Sequence, residues 1–363
     1  MSYLNKSVQI KNIFHMLTYA FETLRESEYT ELGNEEFNEI DDLYAEILIM
    51  GASKQLKQGL YREYTSITEN LYTKKGRLNI CGTIRNRVKN SQMISCDHDI
   101  YSEDNIFNQI LKITLATLEN NNNVQPERKN RIKTILIRFG NVSIINPHSI
   151  KWSSIQFRRN SGYYQTLLTI CHYALDRMLL TEESEKRMKN IVDDEYMHIL
   201  YERFVRNYYI RHYKGIKIGA NKIDWDAEGD ITNMPTMQSD IMIENEKQVV
   251  IIDTKLYSKT MSSKYGDKKT FISNNLYQIY TYVNCHRNNT GKRVSGILLY
   301  AMTDEEITPD SEVVISGNLF QIKTLDLNKE FTEISQQLDS IIEYYFTDIV
   351  KKSNTIPGVR QSI

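Results

Sequence analysis

Residues 8 to 25, VQIKNIFHMLTYAFETLR, set Ile10, Ile13, Phe14, Leu17, Ala20, Phe21 and Leu24 on one stripe at helical spacing, which predicts an amphipathic helix. A second is expected from about 34 to 56, where Phe37, Ile40, Leu43, Tyr44, Ile47 and Leu48 recur at three and four, and the two are expected to pair as a helical hairpin. From Leu60 to Cys81 the helical period is lost. REYTSITEN and GRLNICGTI flank the polar LYTKKG, with Gly76 available for an unusual backbone angle, which predicts a β-hairpin. Helices are expected again at about 104–120, 126–138 and 163–179. The first two of these are separated by ENNNNVQ, a loop by composition. His172, alone near the middle of the last helix, reads as structural.

The stretch LTEESEKRMKNIVDDE, residues 180–195, is strongly charged with only isolated apolar residues, so the domain join is placed inside it. Beyond it the pattern predicts a helix at about 194–213, strands near 239–245 and 248–256, a helix at 270–287, a strand at 294–301, a strand pair within 312–325 and a closing helix at 329–347. The expected fold class is α/β. A mainly helical N-terminal domain with a β-hairpin spans 1–185, a mixed-sheet domain 186–350, and a tail 351–363.

Composition narrows the classes further. Of 363 residues, 40% are hydrophobic and 25% charged, which fits a folded globular protein and is too apolar for a disordered one. The formal charge of −1 means that any contact with nucleic acid needs a local basic face or a partner supplying affinity. Cys81, Cys96, Cys171 and Cys285 lie far apart, without zinc spacing, and are expected as reduced thiols of a cytoplasmic protein. No apolar run approaches the roughly 18 residues of a membrane span, so no membrane association is expected. Lys74, Lys75, Arg77, Arg85 and Arg87 form a local basic patch around the expected hairpin, and a merely solvated face is the competing reading.

The candidate chemistry lies in SDIMIENEKQVVIIDTKLY, residues 239–257. Val249 to Ile252 form a continuous apolar run, the signature of a strand buried on both faces, and Asp253 and Lys255 come where it stops. Two residues apart on a strand, their side chains share a face. Asp240 opens the preceding strand, where a hairpin would bring it toward Asp253. Two converging carboxylates beside an ammonium suit metal-assisted phosphodiester hydrolysis: Asp240 and Asp253 hold Mg²⁺, while Lys255 positions or deprotonates water or stabilises the charged transition state. The competing reading is a surface ion pair between Asp253 and Lys255. On the following helix Gln278 and Tyr282 stand four apart, where an amide and a phenol reach substrate or the metal's surroundings. Glu202 is a further candidate ligand, with an ordinary helical ion pair to Arg206 as the alternative. Asp224 and Asp226 read as turn formers.

The order Asp240, Asp253-x-Lys255, Gln278-x-x-x-Tyr282 resembles the PD-(D/E)xK nuclease superfamily, with Pro235 upstream of Asp240 but not adjacent to it. More specifically, IKNIFHMLTYA, KGRLNICGTI, LYERFV, KIDWDA, DIMI, IIDTKLY and NLYQIYTY, in order over most of the chain, resemble the McrC family, the nuclease subunits of McrBC modification-dependent restriction systems. The resemblance implies a PD-(D/E)xK-type endonuclease domain requiring Mg²⁺. It also implies an N-terminal domain that docks on a McrB-like AAA+ hexamer, which binds and hydrolyses GTP, and a substrate of double-stranded DNA carrying modified cytosine such as 5-methylcytosine. No GxxxxGK[ST] loop occurs in this chain, as expected if the GTP belongs to the partner. Lys74, Lys75, Arg77, Arg85 and Arg87 are then candidates for the partner GTPase contact. The rival reading is a non-catalytic adaptor that activates an AAA+ GTPase and keeps the nuclease-like fold only to bind DNA.

Overall fold

A computed structural model of the protein describes residues 8–26, 29, 32–33, 35–157, 162–183, 189–256, 261–262, 270–302, 308–346 and 350–351. The chain divides into two compact units: Glu39–Leu179, and the combination of Met1–Asn38 with Leu180–Ile363. The tail expected at 351–363 lies, apart from residue 351, outside the described residues.

Helix α1 (Ile10–Ala20) belongs to the composite unit and α2 (Ile40–Gln58) to the other. The α2 sequence IDDLYAEI puts Asp41, Asp42 and Glu46 inside its own unit, where they meet Arg177 at 3.0 Å and Arg128 at 2.8 and 2.9 Å. The helix is thus buried on its polar side as well as its apolar side, with its acidic residues matched by arginines of the same unit.

The same unit holds β1 (Glu63–Leu71), β2 (Arg77–Leu78), helix α3 (Ile80–Val88), β3 (Ile94–Ser102), α4 (Ile106–Asn120), α5 (Pro126–Arg138) and α6 (Gly162–Glu183), which runs across its end. The expected β-hairpin is corrected here. β1 pairs along its whole length with β3, and β2 takes the other edge of β3, giving the order β1-β3-β2. TIRNRV is helical, capped by the Asn79 side chain accepting from the Gly82 amide. Gly76 has φ 73°, and a Cβ there would stand 2.7 Å from His98 Cβ, so the LYTKKG turn lies against β3 without joining β1 to β2.

In the composite unit α1 packs on α7 (Lys189–His212). Asn12 Nδ2 donates to the Leu327 and Lys329 carbonyls at 2.7 and 2.9 Å, and Tyr19 lies among Phe204, Tyr208, His212 and Phe331. The charged stretch 180–195 is helical in its described residues, with α6 continuing to Glu183 and α7 starting at Lys189, and the boundary between the two units falls at its edge, between Leu179 and Leu180. Glu, Lys and Arg are good helix formers, so a charged run of this kind extends helices as readily as it breaks them.

The mixed sheet of this unit contains β4 (Lys217–Gly219), β5 (Ile241–Glu244), β6 (Gln248–Lys255), β7 (Arg293–Ala301), β8 (Ser311–Ile315) and β9 (Asn318–Leu325), in the order β8-β9-β7-β6-β5-β4. β6, β7 and β9 run parallel, and the remaining neighbours are antiparallel. The architecture is therefore α/β with a mixed sheet. Helix α8 (Ser273–Thr290) crosses from β6 to its parallel neighbour β7, as parallel pairing requires. Its Ile279, Tyr282 and Val283 pack with Val249, Ile251, Val294, Leu298 and Phe320 in one core. The closing helix α9 spans Phe331–Tyr345. No helix among the described residues is long and apolar enough to cross a membrane.

Gly296 of β7 lets α8 approach the sheet: a Cβ there would stand 2.9 Å from Ile279 Cγ1, Val283 Cγ2 and Phe320 Cδ1. Gly296→Val is expected to destabilise the protein by about 1–3 kcal/mol through overpacking, with Gly296→Ala costing less. Urea unfolding monitored by circular dichroism measures both, and equal stability of wild type and Gly296→Val would show that the helix yields without strain.

Candidate active site

β6 is flanked on both edges, by β5 and β7, and Val249 to Leu256 are buried without interruption. Neighbours on both sides fix its backbone, so whatever its last residues carry is held in place. Those residues are Asp253, fully buried, and Lys255, 5% exposed, with Lys255 Nζ 2.7 Å from Asp253 Oδ2. The contact is close but not aligned as a hydrogen bond, and no described donor meets either Asp253 oxygen in hydrogen-bond geometry. Burial pushes the Asp253 carboxyl up to about 7. Lys255 pulls it down, while the charges of Asp240 and Glu202 push it up.

The β5–β6 pairing ends at Ile241 and Ile252, and Asp240 stands just beyond it. Its Oδ2 accepts from the Thr254 amide at 2.7 Å and from the Thr254 hydroxyl at 2.8 Å. On α8, Gln278 Oε1 accepts from Lys255 Nζ at 3.2 Å, and Gln278 Nε2 donates to the Tyr282 hydroxyl at 3.1 Å. Glu202 on α7 is paired with Arg206 at 2.5 Å, and the same Arg206 nitrogen donates to the Asp240 carbonyl at 3.2 Å.

Asp240, Asp253, Lys255, Gln278, Tyr282 and Glu202 are thus brought to one place, joined by direct contacts or by the charge that each places on Asp253. The surface ion pair weighed for Asp253 and Lys255 is instead a buried one, whereas the helical pair weighed for Glu202 and Arg206 is present. Asp224 and Asp226 are drawn to the far end of α8, where Asn289 Nδ2 donates to the Asp224 carbonyl and Asn288 Nδ2 to Asp226 Oδ2. Lys74, Lys75, Arg77, Arg85 and Arg87 are all exposed, in the other unit. Thr254 went unremarked in the sequence, although a hydroxyl residue closing an apolar run is the signal that was there to find.

The two carboxylates offer donors of the kind that a divalent ion takes. Asp253 presents two buried carboxylate oxygens without hydrogen-bond donors, and Asp240 has one oxygen beyond the pair of Thr254 bonds. Both are hard oxygen ligands. Among the described residues no three His, Cys, Asp or Glu side chains form a ready cluster. Two carboxylates without a third suit an ion that keeps most of its ligands as water, which is the habit of Mg²⁺. The donor chemistry of Asp240 and Asp253 fits an ion of that kind.

Comparison with known proteins agrees with the spread of the sequence motifs. Residues 4–301 match the model of a family described as McrBC 5-methylcytosine restriction system component. The chain is 25% identical over 344 residues, 93% of its length and 98% of the relative's, to the type IV methyl-directed restriction enzyme EcoKMcrBC of Escherichia coli (strain K12). Among solved structures it resembles a chain of the refined half-complex from a tetradecameric assembly of Thermococcus gammatolerans McrB AAA+ hexamers with bound McrC. The TM-score is 0.52 at 13% identity, over 93% of this chain and 76% of that one, a likeness of fold.

The buried carboxyl has a consequence for stability. A group raised from 3.8 to about 7 holds a proton in the folded state that the unfolded state has lost, so stability present below about pH 4 declines as pH rises toward 7 and levels off above it. In EDTA, the double variant Asp253→Asn/Lys255→Met is expected to lose a few kcal/mol less than wild type between pH 5 and pH 8. Urea titrations across that range measure the difference, and parallel profiles would show that Asp253 does not titrate there.

Proposed function

Because the chain belongs to the McrBC 5-methylcytosine restriction system component family, we propose that it is the Mg²⁺-dependent endonuclease subunit of a GTP-driven restriction complex. In this reading the composite unit is a PD-(D/E)xK-type nuclease domain. Its substrate is double-stranded DNA with modified cytosine, and its partner is a McrB-like AAA+ GTPase hexamer that the chain also stimulates. The observation that carries the reading is the convergence of Asp240, Asp253, Lys255 and Gln278 at the end of one central strand. A domain kept only for binding has no need of a buried lysine and aspartate there, an arrangement whose desolvation is costly.

Asp240 and Asp253 would hold the ion, which would supply positive charge to offset that developing on the scissile phosphate. Lys255 brings a positive charge to the same face of β6, fixed in direction by Asp253 on one side and Gln278 on the other. Tyr282 orients the Gln278 amide, so that its oxygen rather than its nitrogen faces the ammonium. Glu202 stands by on α7, held by Arg206, as a further acceptor at the edge of the site. The exposed Lys74, Lys75, Arg77, Arg85 and Arg87 are the proposed GTPase contact, where cations supplied in trans stabilise phosphoryl transfer.

Cleavage of methylated plasmid DNA by the protein with its GTPase partner, Mg²⁺ and GTP tests this. Lys255→Ala is expected to lower cutting by at least about 100-fold, the scale of removing one charge-stabilising group, while GTPase stimulation persists. Undiminished cutting would remove Lys255 from the mechanism. No cutting even by wild type, with GTP turnover stimulated, would establish the adaptor instead.

Charge reversal of Lys74, Arg77 and Arg85 to Glu is expected to act on the other activity: stimulation of GTP turnover falls by roughly 10-fold or more and cutting falls with it, with the folded state unchanged by circular dichroism. Full stimulation by that triple variant would move the contact elsewhere.

A further inference from the structure

The residue between the two motif positions of Asp253-x-Lys255 has a task of its own. Thr254 is fully buried, and both of its donors, main-chain amide and hydroxyl, converge on Asp240 Oδ2 at 2.7 and 2.8 Å. A carboxylate oxygen has two lone-pair directions. Thr254 takes both on Oδ2, and among the described residues no donor reaches Oδ1. Asp253 is the opposite case, with no described donor aligned on either oxygen. Asp240 is oriented through Oδ2 by two hydrogen bonds from Thr254, whereas Asp253 meets the Lys255 ammonium at 2.7 Å.

The tether also sits where the sheet itself stops. β5 pairs with β6 only as far as Ile241 and Ile252, so the Thr254 amide lies beyond the ladder and takes a side chain as its acceptor. Of the two bonds that hold Asp240, the amide is supplied by any residue at this position except proline. The hydroxyl is supplied only by Thr or Ser.

Resting on the nuclease reading above, we infer that Thr254 is a positioning residue for the divalent ion: its hydroxyl turns the Asp240 carboxylate so that Oδ1 alone is presented, making Asp240 a one-oxygen ligand of preset direction. The hydroxyl contributes to affinity for the ion and leaves the chemical step to other groups.

Three forms of the full-length chain separate this from a packing role: wild type, Thr254→Val, which keeps the shape and removes the hydroxyl, and Thr254→Ser, which restores it. Mg²⁺ affinity is read without DNA from the Mg²⁺ dependence of the melting temperature. It is read again with the GTPase partner as the Mg²⁺ concentration giving half-maximal cleavage. Thr254→Val is expected to raise the required Mg²⁺ roughly 10- to 100-fold in both readouts, with the cleavage rate at saturating Mg²⁺ recovering to near wild type. Thr254→Ser is expected to stay near wild type in both. An unchanged Mg²⁺ requirement in Thr254→Val overturns the inference, and so does a loss of rate that added Mg²⁺ does not restore. If wild type itself shows neither Mg²⁺-dependent melting nor cleavage, the nuclease reading fails first and takes the inference with it.

Discussion

An ammonium and a carboxylate in contact inside a sheet set the terms for everything around them. Asp253 and Lys255 are both removed from water at the end of β6, and taking two charges out of water costs more than their attraction regularly returns. Each is tolerated because the other is there, and removing one would leave the survivor stranded at a cost of about 3–5 kcal/mol. That mutual dependence requires a backbone that does not wander. β6 is held between an antiparallel neighbour on one edge and a parallel one on the other, and α8 is pressed onto its face through the gap at Gly296. The same helix that completes the core then delivers Gln278 to Lys255. Packing and site chemistry are two uses of one helix face.

Much of this was legible along the chain. The run Val249 to Ile252 announced a strand buried on both sides, and the charges that ended it stood out against it. Gln278 and Tyr282 could be placed together because four residues on a helix return to the same face. What the pattern did not carry was partnership. Periodicity tells which side of an element is apolar and says nothing about what will cover it. So β1 was matched with the strand nearest in sequence when β3, further on, takes its whole length. The tether from Thr254 to Asp240 was hidden for a related reason: it depends on where the β5–β6 ladder ends, a register detail settled by the two strands together.

The allegiance of the first helix was hidden in the same way, and it changes how the molecule is divided. α1 has an ordinary amphipathic stripe. It is held by Asn12 on the Leu327 and Lys329 carbonyls, by Tyr19 hydrogen-bonded to His212 at 2.8 Å, and by the aromatic cluster around Phe331. Those partners lie on α7 and around α9. α7 is also the helix that carries Glu202 and Arg206 toward Asp240.

The N-terminal segment is therefore part of the scaffold behind the site, and Glu39–Leu179 is an insertion into that scaffold. The chain leaves the composite unit after residue 38 and returns to it at residue 180. An insertion of this kind lets the scaffold keep its own core while the inserted unit presents a different surface, here the exposed cations from Lys74 to Arg87. It also fixes what can be separated. Cutting the chain near residue 185 would strip α1 from α7 and expose the aromatic cluster, so the C-terminal half alone would leave α7, which carries Glu202 and Arg206, without the helix that packs on it.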